Sequence, residues 1–300
     1  EDYSALYNVV YCFDFLDQNE DAIVYLNKFI DKNPYSEVAW HQLGRQYYAL
    51  KNFDKAVWAF EYATLIDEGF LGAYMEKAKS YEKLKKFEKA IDCYKIAIEL
   101  DDPSSFVLLR MAKCYERIGN IEFALNFYLK TVHEDPLLDK GWIAITDFYI
   151  RQKNYQKALY YVNKAIGIDG DNPLYWKRFA AVNSALHFFE EAEYGYRKAF
   201  ESGDVNLDTF TLWTDVLQFL GEFDNAIEIL LEATNLFPEE YEIEYRLAGL
   251  YFLCNEDIKG NFHLNNGLRL NYKNKTVLKD YFPVVWERTE VQNQIAKFKK

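Results

Sequence analysis

The sequence predicts an all-α chain, a solenoid of antiparallel helix pairs, and three observations carry that prediction. Small residues recur every 34 positions: Ala22, Ala56, Ala90, Ala124, Ala158, Ala192, Ala226 and Gly260, without insertion or deletion. Apolar residues on both sides of a short break repeat at helical spacing, as in Trp40, Leu43, Gly44 and Tyr47, then Ala56, Phe60 and Ala63. Only 13 glycines and 6 prolines occur among 300 residues, which leaves room for many uninterrupted helices. A fixed period of this length marks a repeat architecture, in which each unit buries its apolar face against the next.

The register sets eight units, at 3–36, 37–70, 71–104, 105–138, 139–172, 173–206, 207–240 and 241–274, followed by a divergent capping segment at 275–300. The reading is one continuous array without a domain boundary. Prolines mark the joints: Pro34, Pro103, Pro136 and Pro238 fall close to the same phase, with Pro173 nearby. The first unit is degenerate, with Val10 and Phe29 where small residues are usual. The second unit is the most regular. Its break Lys51-Asn52-Phe53 recurs as Lys85-Lys86-Phe87 in the third, Gly119-Asn120-Ile121 in the fourth, Lys153-Asn154-Tyr155 in the fifth and Gly221-Glu222-Phe223 in the seventh. Position 11 reads Phe13, Tyr47, Tyr81, Tyr115, Tyr149, Asn183, Leu217 and Tyr251. Small residues at positions 8 and 20 let two helices approach, and rings fill the space between them. This niche accounts for an aromatic content of 18%. The eighth unit carries Gly260 and Gly267 in place of both alanines. In the tail, Leu278, Tyr281, Phe282 and Val285 hold the phase of a ninth first helix. Pro283 breaks that helix, and the segment ends in Lys299-Lys300.

The pattern resembles the tetratricopeptide repeat, whose unit reads W-x2-L-G-x2-Y, then A-x3-F, then A and P. The second unit matches through Ala63, with Glu68 where the proline would fall. The fourth carries Ala112, Tyr115, Ala124, Tyr128 and Pro136, and the fifth carries Trp142, Tyr149, Ala158 and Ala165. The resemblance covers residues 3 to 274. It implies a right-handed superhelical solenoid whose inner groove is lined by positions 2, 5, 9, 12 and 13 of each first helix, and it implies protein or peptide binding.

Composition narrows the function. A net charge of −12 leaves no basic field to release phosphate counterions, so the chain does not read as a nucleic-acid binder. No apolar run reaches the 18 residues that mark a membrane-spanning helix candidate. No HExxH, GxSxG or GxxxxGK[ST] motif occurs, and the four histidines sit at four different unit positions, so no enzyme is expected. The segment Asp169-Gly170-Asp171-Asn172 is read as a turn before Pro173, because Leu174 and Ala180 stand where a calcium loop needs Gly and a carboxylate. Cys12, Cys93, Cys114 and Cys254 form no disulfide framework and are expected to be packed thiols. No cofactor and no metal are expected, and the cytoplasm is the favoured compartment.

The inner stripe is where charge becomes informative. Arg45, Lys79, Lys83, Lys113, Arg117 and Arg151 all fall on it in units two to five, with Arg110 at the rim. Lys79/Lys83 and Lys113/Arg117 are like-charged pairs at i,i+4, each unfavourable by about 0.2–0.5 kcal/mol on an isolated helix. Two readings stay open. Either Glu76, Glu82 and Glu116 neutralise the set through i,i+3 pairs, or the stripe is a local positive groove for an acidic extended segment. His41 and Tyr48 join the candidate groove, with Tyr7, Tyr11, Phe15 and Tyr245 as rings to grip apolar side chains. A chaperone-tail carboxylate clamp is disfavoured, since no unit pairs Lys at position 5 with Asn at position 9. Position 6 reads Asn8, Gln42, Glu76, Arg110, Ala144, Arg178, Leu212 and Arg246, so there is no asparagine ladder. The expected function is a protein-binding scaffold or adaptor. The alternatives are a self-associating assembly module, or the non-catalytic targeting region of a longer protein.

Overall fold

The computed structural model describes residues 3–102 and 104–298, so Pro103 and the Lys299-Lys300 ending lie outside the described residues. Every regular element among the described residues is helical. The chain groups into two compact units, one up to Gly141 and the other from Trp142 onward.

The first unit holds α1 (Tyr3–Phe15), α2 (Asn19–Lys32), α3 (Glu37–Ala49), α4 (Phe53–Ile66), α5 (Leu71–Lys83), α6 (Phe87–Leu100), α7 (Ser105–Arg117) and α8 (Ile121–Glu134). Each odd helix packs on the even helix that follows it, and α2, α4 and α6 pack on α3, α5 and α7 in turn. The small residues permit this approach. A Cβ added at Gly44 of α3 would lie 2.5 Å from the Phe60 ring of α4, so only a hydrogen fits there. Ala22, Ala56, Ala90 and Ala124 are fully buried where the two helices of each hairpin meet.

α9 (Asp139–Arg151) falls mostly in the second unit, which continues with α10 (Tyr155–Ile168), α11 (Pro173–Ala185), α12 (Phe189–Glu201), α13 (Leu207–Leu220), α14 (Phe223–Leu236), α15 (Tyr241–Leu253) and α16 (Asp257–Asn271). A 3₁₀ turn, Tyr272–Asn274, leads to α17 (Thr276–Tyr281), α18 (Pro283–Trp286) and α19 (Thr289–Lys297). α17 and α18 pack on α15 and bury Leu278, Phe282 and Val285. Phe282 covers Gly249 so closely that an added Cβ would meet its ring at 2.2 Å. Pro283 sits at the first position of α18, where its missing N–H costs nothing.

One turn closes all eight hairpins. Unit position 15 is left-handed each time: Asp17, Lys51, Lys85, Gly119, Lys153, His187, Gly221 and Asn255 have φ between 53° and 79°. The next residue's N–H then donates to the carbonyl of position 11 at 2.8–2.9 Å, as from Asn52 to Tyr47 and from Glu256 to Tyr251. This is the Schellman closure of a helix C-terminus. Only two of the eight residues are glycine, so six side chains accept a conformation that costs an L-residue roughly 1–2 kcal/mol. Asn52, Asn120 and Asn154, directly after the turn, then cap the second helices through their side-chain oxygens. Ser36, Ser104 and Asn172 cap α3, α7 and α11 in the same way. The Asp169–Asn172 segment is thus the joint that starts α11, with Pro173 at its first position.

Candidate functional site

The candidate stripe runs along the first helices of the first unit. Lys83 at the end of α5, and Lys113 and Arg117 on α7, are exposed and make no ion pair among the described residues. Lys79, one turn before Lys83, pairs with Glu76 at 2.9 Å and lies over the Phe106 ring at 5.7 Å. Arg45 on α3 is exposed, meets Asp14 at 3.7 Å and donates to Gln42 at 3.0 Å. Arg151, exposed at the end of α9, belongs to the second unit.

The three glutamates go to different partners, and this decides the charge of the stripe. Glu76 forms the one i,i+3 pair of the expected kind, with Lys79. Glu82 is held by Arg110 of the next repeat in a two-pronged contact, Nε to Oε1 at 2.8 Å and Nη2 to Oε2 at 3.0 Å. The Tyr94 hydroxyl donates to the same carboxylate and accepts from Arg110 Nε. Burial and the adjacent Glu82 charge push the Tyr94 hydroxyl far above the ordinary tyrosine range. Glu116 accepts from the Tyr128 hydroxyl at 2.8 Å. Arg110 is therefore no rim cation: it is locked inside a network, because a planar guanidinium matches a carboxylate in two places.

His41 occupies a different setting from the one expected of a groove residue. Its ring packs 4.8 Å from Phe70 and 5.6 Å from Phe60, and both ring nitrogens are buried without a hydrogen-bond partner. Burial and, secondarily, Arg45 lower its pKa to about 4. Position 5 of this helix is turned under Phe70, not toward an open face. Tyr48 is half-buried, edge-on to Phe53 at 5.3 Å, and burial raises its hydroxyl pKa. Tyr7, Tyr11 and Phe15 line one exposed face of α1. Tyr245 corrects the expectation: it is fully buried and donates to the Asn271 carbonyl at 2.9 Å, because its ring packs under the last turns of α16 against Gly267.

The arginines at position 6 are visible in the sequence, but their partners are not. Arg110, Arg178 and Arg246, in the fourth, sixth and eighth repeats, each reach back one repeat to an acid on the preceding first helix. Their partners are Glu82, Asp147 at 2.7 Å and Asp215 at 2.5 Å. Separations of 28 and 31 residues were the available signal.

The thiols sort by cover. Burial pushes Cys93 up to about 11 and Cys114 up to about 12, so both stay protonated and unreactive near neutrality. Cys12 is exposed, contrary to expectation.

Tetratricopeptide-repeat family models match residues 4–36 and 72–102. No curated protein matches the chain significantly. Among solved structures, the C-terminal part of a TPR repeat-containing protein from Cytophaga hutchinsonii is similar at a TM-score of 0.61 and 18% identity, over 91% of this chain and 98% of that one. PilF of Pseudomonas aeruginosa is similar at 0.55 and 19% identity, over 67% of this chain and 92% of its own. PilW, described as a widely conserved type IV pilus biogenesis factor, is similar at 0.55 and 18% identity, over 67% and 94%. At these identities the likeness is one of fold.

Proposed function

The chain is an array of tetratricopeptide repeats, and from that premise we propose that it is a protein-binding scaffold whose basic stripe holds an acidic, extended segment of its partner. The observation that carries this reading is the uncompensated charge of Lys83, Lys113 and Arg117. These side chains sit exposed on successive first helices of a chain whose net charge is −12. Glu82, beside Lys83, is engaged by Arg110, and Glu116, beside Arg117, accepts from the Tyr128 hydroxyl. Each ammonium or guanidinium thus remains hydrated and available, and an incoming carboxylate meets no prior partner to displace. Lys79 and Arg45 extend the stripe; the long Arg45–Asp14 contact gives way to a ligand at little cost, whereas the half-buried Lys79–Glu76 pair is held more firmly. Tyr48, half-buried against Phe53, supports the wall, and Arg151 in the second unit is a separate candidate for the same class of ligand.

The test reverses the three uncompensated charges together, as Lys83→Glu, Lys113→Glu and Arg117→Glu. Folding should survive, since exposed substitutions shift stability by about 0.5 kcal/mol or less. The probe is a synthetic extended peptide alternating Glu and Leu, with a Lys-Leu peptide as control, titrated at low and high salt. The Glu peptide should bind the native chain, lose affinity with salt, and bind the triple variant about tenfold more weakly or worse. Equal affinity for the variant, or no salt dependence, would remove the basic stripe as the binding surface.

A further inference from the structure

A second concave feature lies in the other unit and has the opposite character. A pocket of about 490 Å³ opens between α13, α14, α15 and the tail, walled by Phe219, Phe223, Leu253 and Tyr281, with Asp215 and Asp280 at its edge. Phe219 and Leu253 occupy position 13 of their repeats, the same face that carries Lys83 and Arg117 in the first unit. The tail supplies the remaining wall, so this site requires more than the repeats themselves.

The walls are held in place before any ligand arrives. Phe219 is 71% exposed, yet its ring stacks on Phe189 at 4.7 Å and 7°. Tyr281 is fixed from below by the Arg246 guanidinium, 3.8 Å from the ring centroid. Arg246 is 1% exposed and is itself held by Asp215 and Glu242. A cation against an aromatic face with carboxylates at its edges is thus an arrangement the chain already uses here. The charge around the pocket does not cancel. Arg246 is one cation held by two carboxylates, Asp215 and Glu242, and Asp280 adds a third at the pocket's edge, exposed without an ion pair among the described residues. Lys279 is Asp280's neighbour in sequence but does not line the pocket.

We propose that this pocket holds an arginine or lysine side chain carried on an apolar stretch of a partner protein. The aliphatic stem lies against Phe219, Phe223 and Leu253, and the charged end meets Asp280 and the face of Tyr281. Charge complementarity selects this occupant. An anionic side chain meets net negative charge, and a purely apolar one leaves Asp280 and Asp215 facing hydrocarbon. Preformed walls remove part of the ordering cost of binding. The inference is independent of the basic stripe on α5 and α7, since the two surfaces share no residue and take ligands of opposite sign.

The experiment uses the full chain and two acetylated, amidated pentapeptides, Gly-Leu-Arg-Leu-Gly and Gly-Leu-Glu-Leu-Gly, titrated calorimetrically. The variants are Asp280→Lys and Phe219→Ala, both at exposed positions, and the double change Lys113→Glu with Arg117→Glu. Circular dichroism confirms that each variant is folded. The arginine peptide should bind the native chain, about tenfold more weakly to Asp280→Lys and several-fold more weakly to Phe219→Ala. The double change on α7 should leave it unaltered, which separates this site from the basic stripe. The glutamate peptide should show no binding that responds to Asp280. No binding of the arginine peptide up to its solubility limit, equal binding to Asp280→Lys, or loss of binding in the α7 variant would each overturn the proposal.

Discussion

Replacing His41 by Leu should remove a stretch of the protein's pH dependence. The imidazole is packed between Phe60 and Phe70 with neither nitrogen in a well-formed hydrogen bond, so the folded state offers the charged form little to offset its burial. Burial and, secondarily, Arg45 on α3 oppose protonation; Glu76 and the Gly72 backbone on α5 favour it but are outweighed, and the pKa falls to about 4. An unfolded histidine titrates near 6.5. Above pH 6.5 both states are neutral and the site contributes no slope. As the pH falls from 6.5 to 4 the unfolded chain binds a proton that the folded chain refuses, so stability is lost through this window and levels off below it. A difference of about 2.5 units, at 1.36 kcal/mol each, amounts to roughly 3 kcal/mol. The assay is urea unfolding of the native chain and of His41→Leu at a series of pH values between 7.5 and 4. Carboxylates titrate equally in both proteins, so the difference between the two curves isolates the histidine. The difference should be constant above pH 6.5 and swing by about 3 kcal/mol in favour of the leucine variant by pH 4. Parallel curves across the whole range would refute the reasoning and show that the ring finds a partner when protonated.

Lys51→Gly, Lys85→Gly and Lys153→Gly should each stabilise the chain by about 1 kcal/mol in urea unfolding, because φ is 59°, 58° and 56° at these turns. Gly119→Ala, at φ 79°, should lose a similar amount. Gly44→Ala drives a methyl into the Phe60 ring and should cost about 1–3 kcal/mol, with hydrogen exchange accelerated most in α3, α4 and their neighbours. Deleting residues 276–300 removes Leu278, Phe282 and Val285 from α15 and uncovers Gly249, and light scattering should report association of the shortened chain. A truncated chain that stays monomeric and equally stable would show that the tail is no cap.

The amino-acid sequence by itself determined where the helices lie. A buried alanine every 34 residues, with apolar residues at helical spacing around it, admits one periodic solution, and the first helices begin at Tyr3, Glu37, Leu71, Ser105, Asp139, Pro173, Leu207 and Tyr241. Contacts inside a hairpin are local, so the residues that make them are near in sequence and repeat with it. The fate of the charges was decided by tertiary structure. Glu82 had Lys79 on its own helix and Arg110 on the next first helix as competitors, and only the packing of α5 beside the following hairpin gave it to Arg110. The same holds for Arg178 with Asp147 and Arg246 with Asp215, pairs set by the stacking of one repeat on the next. Lys83, Lys113 and Arg117 emerge as a charged surface because of where those other side chains went. The apolar pocket beside Phe219 likewise needed Tyr281 to fold back from the tail, and no periodicity predicts where a non-repeating segment comes to rest. Helical period is a property of the chain's own pattern, whereas the partner of a long charged side chain is chosen among several within reach, by the position of backbones far away in sequence.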